Sequence, residues 1–283
     1  MNERVISAKE YDDFRQFLAD VTGIVLGDNK HYLVSSRLNR LMEEQQFSNY
    51  DELLKSVESS ANSPLREKVI DAMTTNETMW FRDVYPFEIL REELLPEFVK
   101  QKKSSVRVWS AACSSGQEPY SISMVAREFA LNNPGSITSG VDILGTDISS
   151  MMLKYSKQAI YDTSAVKRGL SDERRKKFFN ETSGGWELNH DIRSRVTFRA
   201  LNLQHSFAGL GKFDVIFCRN VLIYFSSEFK TEILTRMSEV LNPGGYLLLG
   251  SSETPTRYTT LYKMVRTSKG VIYQLTKPDN SQS

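Results

Sequence analysis

Four apolar segments of this 283-residue chain break off at polar residues of kinds that bind ligands. Val106 to Ser110 runs into SAACSSGQEPYSI with Glu118, and Val141 to Thr146 stops at Asp147. Val196 to Phe198 leads to Asn202 and Leu203, and the stretch FDVIFCRNVLIYF turns polar at Arg219 and Asn220 before reaching Tyr224. In an open α/β sheet the ligand lies outside the carboxyl ends of the strands, so polar strand ends in this order describe a nucleotide-type site. An acid at the end of the second strand is placed to accept hydrogen bonds from ribose hydroxyls, the role we expect of Asp147. Asn202 and Leu203 offer a polar group and an apolar wall to an adenine ring. Gly116 permits a tight turn and Pro119 suits the opening of a helix. No G-x-G-x-x-G fingerprint is present, and the Glu118 carboxylate would repel a diphosphate, so the spacing favours a cationic or phosphate-free ligand. Taken one at a time these residues have plainer readings. Glu118 could be a surface residue beside a helix cap, Asp147 could cap the next helix, and a tyrosine in an IYF run is often core packing.

The elements that hold these ends in place are legible in outline. From Ser105 onward strands and helices alternate, which implies a mostly parallel sheet covered on both faces. The strands read as Val106 to Ser110, Val141 to Thr146, Val196 to Phe198, Val215 to Cys218, Tyr246 to Gly250 and Val271 to Leu275, with LNPGGY as the turn into the fifth. Residues 161–195 break the pattern with a charged run at Asp172 to Lys177 and a Gly184–Gly185 turn, so an inserted subdomain is expected there. Before the sheet, residues 1–75 show helix signals alone. Ser7 and Glu10 form a capping box ahead of Tyr11, Phe14, Leu18 and Val21 at helical spacing, and Gly23 is a stop. A second helix spans about Lys30 to Glu44, a third follows Ser48 and Asp51, and a fourth starts with Ser63 as cap and Pro64 in its first turn. Residues after Lys277 are expected to be disordered.

Composition narrows the class. At 40% hydrophobic and 25% charged residues the chain can bury a core and reads as two units, 1–75 and 76–283. Lys plus Arg (36) nearly cancels Asp plus Glu (35), which argues against a nucleic-acid partner held by overall charge. No apolar run approaches the roughly 18 residues of a membrane span, and MNERVISAKEYDDF lacks an export pattern, so a cytoplasmic location without membrane insertion is expected. Two cysteines, Cys113 and Cys218, are too few and too far apart for a disulfide framework or a CxxC motif, and we expect no metal.

As a set, TTNETMWFRD, WSAACSSGQEPYSISM, LGTDIS, ALNL, FCRNVLIYF and LNPGGYLLLGSSE make the chain resemble the CheR-type chemoreceptor glutamate methyltransferases over nearly its whole length. The resemblance implies a Rossmann-like class I methyltransferase domain preceded by a small all-α domain and carrying a small β-subdomain. It implies S-adenosyl-L-methionine as methyl donor, S-adenosyl-L-homocysteine as product, and the cytoplasmic helical domain of methyl-accepting chemoreceptors as partner. Carried over by motif, Asn76, Thr78, Arg82, Glu118, Asp147, Asn202, Leu203, Arg219 and Asn220 line the donor site, and Arg82 and Tyr224 form the catalytic pair. Arg37 and Arg40, three apart in SSRLNRLMEE, share a helix face, which the resemblance turns toward the acidic receptor bundle. The segment ETSGGWELNHDIRSRV looks shorter than in members that dock a receptor C-terminal pentapeptide, so independence from that tether is expected.

Two other readings remain at this stage. One is a methyltransferase of the same fold with another acceptor. Base-amine enzymes commonly carry an Asn-Pro-Pro-aromatic run after the fourth strand, where this chain has Arg219, Asn220 and Val221. The other is a noncatalytic S-adenosylmethionine-binding sensor.

Overall fold

A computed structural model describes residues 5–59 and 64–276. The expected Ser63 cap and the tail after Lys277 lie outside these residues. Four helices come first: α1 (Ala8–Thr22), α2 (His31–Glu44), α3 (Tyr50–Glu58) and α4 (Pro64–Met73). The capping box forms as read, with Ser7 and Glu10 satisfying each other's end of α1, and Gly23 terminates the helix at φ +76°. Asn49 caps α3 by accepting from the Glu52 N–H. Tyr11, Phe14, Leu18, Val34, Leu38, Leu53 and Val57 pack one core between the four helices. Among the described residues no helix is long and apolar enough to cross a membrane.

Two short helices, α5 (Tyr85–Ile89) and α6 (Leu95–Lys100), joined by a π-helical turn at Leu90–Leu94, lead into the sheet. The elements that follow are β1 (Ser105–Ala111), α7 (Gln117–Asn132), β2 (Gly140–Asp147), α8 (Ser150–Gln158), β3 (Ile160–Tyr161), α9 (Thr163–Lys167) and α10 (Asp172–Phe178). Then come β4 (Phe179–Thr182), β5 (Gly185–Leu188), α11 (His190–Arg193), β6 (Val196–Ala200), β7 (Phe213–Cys218), α12 (Ser227–Val240), β8 (Leu241–Leu249), β9 (Tyr262–Arg266) and β10 (Val271–Leu275). The seven-stranded sheet runs in the order β6-β2-β1-β7-β8-β10-β9. Its first five strands are parallel, while β10 pairs antiparallel with both β8 and β9. The strand order reverses between β1 and β7, and this reversal opens the crevice where such sheets take a ligand. Parallel strands buried on both faces must be apolar throughout, which is why β7 is fully buried along its length and readable from sequence.

The predicted insertion is a small antiparallel sheet in the order β3-β5-β4. It is fixed to the site by the Trp80 N–H, which donates to the Arg168 carbonyl at 3.2 Å, and by the Trp80 ring, which meets Tyr161 and Phe179 edge-on. Two features of the large sheet differ from the sequence reading. Leu241 already pairs with Phe213, so LNPGG forms an irregular start of β8, with a register shift before Tyr246 opposite Val215, rather than a free turn. The edge strand β9 has no assignment in the sequence, because YKMVR is exposed on both faces at most of its positions and lacks the alternation of a half-buried strand.

Candidate active site

A cavity of about 360 Å³ opens at the carboxyl ends of β1, β2 and β7, against the loop that joins α1 to α2 and the segment after α4. Its wall includes Asn76, Thr78, Arg82, Glu118, Asp147, Arg219, Asn220 and Tyr224, which the sequence reading named, and Arg37, which it placed elsewhere. Four local devices bring these side chains together.

The first is the turn after β1. Ala112 and Ser114 take left-handed φ values of +54° and +50°, and Gly116 at φ +92° starts α7. A Cβ on Gly116 would stand 3.0 Å from the Ser156 hydroxyl oxygen, in a conformation that L residues rarely adopt. Asp147 locks this turn, accepting the Ser114 N–H at 2.7 Å on one carboxylate oxygen and the Ser149 N–H at 2.8 Å on the other. Burial raises the Asp147 pKa, and the hydrogen bonds from Ser149 and Ser114 oppose that rise. Each oxygen keeps a lone pair for a ligand hydroxyl.

The second is an ionic cluster around a buried arginine, with Glu118 largely covered and Asp83 partly exposed. Arg219, whose side chain is only 1% exposed, donates to Glu118 Oε2 at 2.8 Å, to Asp83 Oδ2 at 2.6 Å and to the Arg82 carbonyl at 2.7 Å. Glu118 also accepts from the Ser110 hydroxyl at 2.8 Å. Glu118 and Asp147 bring carboxylates to this part of a wall that also carries Lys30, Arg37, Arg82 and Arg219. The Asn220 Oδ1 is buried with no partner, an acceptor available to a ligand donor.

The third is the segment that carries Arg82. The Ser114 hydroxyl donates to the Asn76 carbonyl at 2.9 Å, and the Phe81 N–H donates to the Ser121 hydroxyl at 3.1 Å. Arg82 is half-buried and donates to the Glu77 carbonyl at 3.0 Å. Phe81, Asp83 and Val84 all have left-handed φ. With Ala112, Ser114 and Asn220, six of the nine non-glycine residues of positive φ among the described residues flank or line this one cavity. Backbone held in sparsely populated conformations costs about 1–3 kcal/mol per residue and persists where the surroundings over-determine it, as they do here.

The fourth is the contact with the helical domain. The Val25 N–H donates to the Tyr224 carbonyl at 2.9 Å, and Ile24, Val25 and Leu26 roof the cavity. The apolar IVL run outside any helix was the available signal for this roof, and the sequence reading passed over it. Asp83 and Ser114 were likewise missed, although both lie inside motifs it quoted.

Two residues expected at the donor site stand off the cavity wall, and one expectation, the shared face of Arg37 and Arg40, needs correction. Asn202 and Leu203 are not brought into the lining of the cavity. The Asn202 amide donates to the Val21 carbonyl at 2.8 Å, closing an open carbonyl at the end of α1, and Leu203 is buried in an apolar cluster with Trp109, Leu144 and Phe207. They follow β6, which lies next to β2 at the edge of the sheet. Arg37 and Arg40 do not form one outward stripe. Arg37 turns back onto the end of α4, donating to the Met73 carbonyl at 2.6 Å, the Thr74 carbonyl at 3.3 Å and the Thr75 hydroxyl at 3.1 Å. Arg40 is 89% exposed and pairs with Glu44 one turn on. Three residues advance a helix by 300°, so the pair is offset by about 60°, enough to separate a capping arginine from a solvated one. Arg37→Ala is accordingly expected to cost about 1–2 kcal/mol in urea unfolding, because open carbonyls lose a charged donor, whereas Arg40→Ala should cost under about 0.5 kcal/mol. Equal costs would contradict this division.

Cys113 lines the cavity, but burial, with the negative charges of Asp147 and Glu118, pushes its thiol pKa well up. Cys218 is likewise buried and shifted up, so neither is a nucleophile at neutral pH.

Two family models match the chain: CheR methyltransferase, all-alpha domain, over residues 9–74, and CheR methyltransferase, SAM binding domain, over residues 76–271. Chemotaxis protein methyltransferase 1 of Pseudomonas aeruginosa is 53% identical over 267 residues, covering 94% of this chain and 97% of the relative. Chemotaxis protein methyltransferase Cher2 of Pseudomonas putida is 51% identical over 267 residues with the same coverage. The chemotaxis protein methyltransferase of Vibrio anguillarum is 51% identical over 276 residues, 97% of this chain and 100% of the relative.

Proposed function

The chain belongs to the CheR methyltransferase family, and on that premise we propose that it transfers the methyl group of S-adenosylmethionine to glutamate side chains in the cytoplasmic helical domain of bacterial chemoreceptors. The observation that carries this reading is the single cavity that Arg82 and Tyr224 share with Asp147, Glu118 and Asn220 at the sheet's switch point. The Glu118 and Asp147 carboxylates and the unpartnered Asn220 Oδ1 suit a ligand bearing a sulfonium and an ammonium group. When bound, S-adenosylmethionine supplies an electrophilic methyl group on a positively charged sulfur.

Asn76, Thr78, Arg82, Glu118, Asp147, Arg219 and Asn220 would hold that donor, with Asp147 taking ribose hydroxyls on its free lone pairs and Asn202 and Leu203, after β6, meeting the adenine end. Glu118 acts chiefly through Arg219, since one of its oxygens accepts from that guanidinium and the other from Ser110. A glutamate carboxylate has an unperturbed pKa of about 4.3 and is ionised at neutral pH, so the acceptor needs no general base. What the protein supplies is alignment in a water-poor space. Arg82 grips one carboxylate oxygen and leaves the other free to attack, and the Tyr224 hydroxyl donates a hydrogen bond that fixes the acceptor's angle. Methylating a chemoreceptor cytoplasmic fragment and sequencing its peptides by mass spectrometry tests the acceptor. Added methyl groups are expected on glutamates. Methyl groups confined to other residues would overturn the reading in favour of a different acceptor.

We further propose that the receptor is engaged without a C-terminal pentapeptide tether, in the cytoplasm. The support is the two-residue Ser183–Gly184 connection between β4 and β5, which leaves little loop for a peptide to pair with. A pentapeptide matching a receptor C-terminus is expected to show no saturable binding in calorimetry; micromolar binding would contradict this.

A further inference from the structure

The run GSSE after β8 carries an acid with no assigned role. Glu253 sits outside the cavity lining, yet its carboxylate gathers three backbone N–H groups. Oε2 accepts from Asn220 at 2.7 Å and from Gly250 at 2.8 Å, and Oε1 accepts from Ile223 at 3.3 Å. The Gly250 bond is local, but Asn220 and Ile223 lie some thirty residues away in sequence, so the carboxylate ties the end of β8 to the turn that follows β7.

That turn needs holding. Asn220 has φ +59°, and the chain passes within four residues from there through a 3-10 turn at Leu222–Tyr224. Asn220 and Tyr224, its two ends, both line the cavity. The space for the carboxylate is reserved. A Cβ on Gly250 would stand 2.7 Å from Glu253 Oε2, 2.8 Å from Asn220 Nδ2 and 3.1 Å from the Asn220 nitrogen. An ionised carboxylate makes strong hydrogen bonds to N–H donors and presents only acceptors, so it suits three convergent donors better than any neutral side chain.

We infer that Glu253 is a positioning residue for methyl transfer: by pinning the Asn220–Tyr224 turn it fixes the donor-side Asn220 and the acceptor-side Tyr224 relative to each other. This rests on the function proposed above, and it assigns a role to a residue outside the cavity lining. Loss of the clamp lets the two ends drift, and a displacement of about 1 Å at a reacting pair lowers the rate by about a hundredfold.

Glu253→Gln is the direct test. Glutamine keeps the shape, but it offers one acceptor oxygen and turns an NH₂ group toward backbone donors. In the ligand-free variant, amide hydrogen exchange at Asn220 and Gly250 should accelerate by about tenfold or more, while the core strands keep their protection. The kcat for receptor methylation should fall by about ten- to a hundredfold, with the receptor KM within about twofold of the original protein. Glu253→Asp, which keeps the charge on a shorter stem, should fall between the two. Gly250→Ala, which crowds the carboxylate without removing it, should reproduce the kcat loss. Ser252→Ala, at an exposed neighbour, serves as the control and should change neither measurement. Unchanged exchange at the two amides, or a kcat per folded molecule equal to that of the original protein, would overturn the assignment. A general loss of protection across the sheet, in place of the local one, would also overturn it by making Glu253 merely structural. Failure of the original protein to methylate receptors would instead count against the proposed function, because the exchange measurement needs no substrate.

Discussion

Arg82→Ala should yield a protein that folds and still binds S-adenosylhomocysteine but methylates receptors on the order of 10²-fold more slowly. The stability part follows from position. Arg82 is half-buried, lies outside the hydrophobic core, and its side chain makes a single hydrogen bond among the described residues, to the Glu77 carbonyl, so its loss should change unfolding by no more than about 0.5 kcal/mol. The catalytic part follows from charge. Carboxylate and sulfonium charges are both consumed as the methyl group moves, so a cation beside the acceptor stabilises the starting state at least as much as the transition state. The advantage of Arg82 must therefore lie in aim rather than in charge. Its planar fork can hold one carboxylate oxygen in a fixed direction, which a lysine ammonium cannot do. Arg82→Lys should then recover less than about a tenth of the lost rate. Full recovery by lysine would show that charge alone matters, and a fully active Arg82→Ala would remove Arg82 from the reaction.

Arg219→Met should produce the largest loss of stability among the site residues, about 3–5 kcal/mol, or on the order of 10 °C in Tm. The substitution preserves much of the volume but leaves Glu118 beside Asp83 without the cation that both now face. Removing the buried cation strands chiefly Glu118, whose side chain is largely covered, while the partly exposed Asp83 can turn to solvent, and stranding a buried charge costs more than the pair contributes when intact. The damage should spread to ligand binding, because Arg219 also holds the Arg82 carbonyl at 2.7 Å and so anchors the left-handed segment around Arg82. Adding Glu118→Gln to Arg219→Met removes one stranded charge and should restore part of the stability. A Tm for Arg219→Met within 2–3 °C of the original protein, about 1 kcal/mol, would mean the cluster is solvated and dispensable.

The central strands and their polar ends were readable because the physics there is local and severe. A parallel strand covered on both faces must be apolar along its length, and the switch to Arg219 and Asn220 marks where the cover ends. Gly116 and the Ser7–Glu10 box were readable because few residues serve those backbone positions. What stayed hidden depends on contacts distant in sequence. Residues 85–100 carried no assignment, since Pro86 and Pro96 and a π-helical turn interrupt the 3.6-residue spacing. The direction of Arg37 is set by the end of α4, some thirty-six residues away, and that of Asn202 by the end of α1 across the domain contact. Glu253 gave no signal either, because its partners are backbone N–H groups, which every residue has.

The most direct test of receptor glutamate methylation is transfer of a radiolabelled methyl group from S-adenosylmethionine to a purified chemoreceptor cytoplasmic domain, followed by treatment with base. Glutamate methyl esters hydrolyse in base, so the label should leave the protein as volatile methanol. Label that stays on the protein, or no label on several receptors from an enzyme shown to bind S-adenosylmethionine, would contradict carboxyl methylation and point to a different acceptor or to a sensor without catalysis.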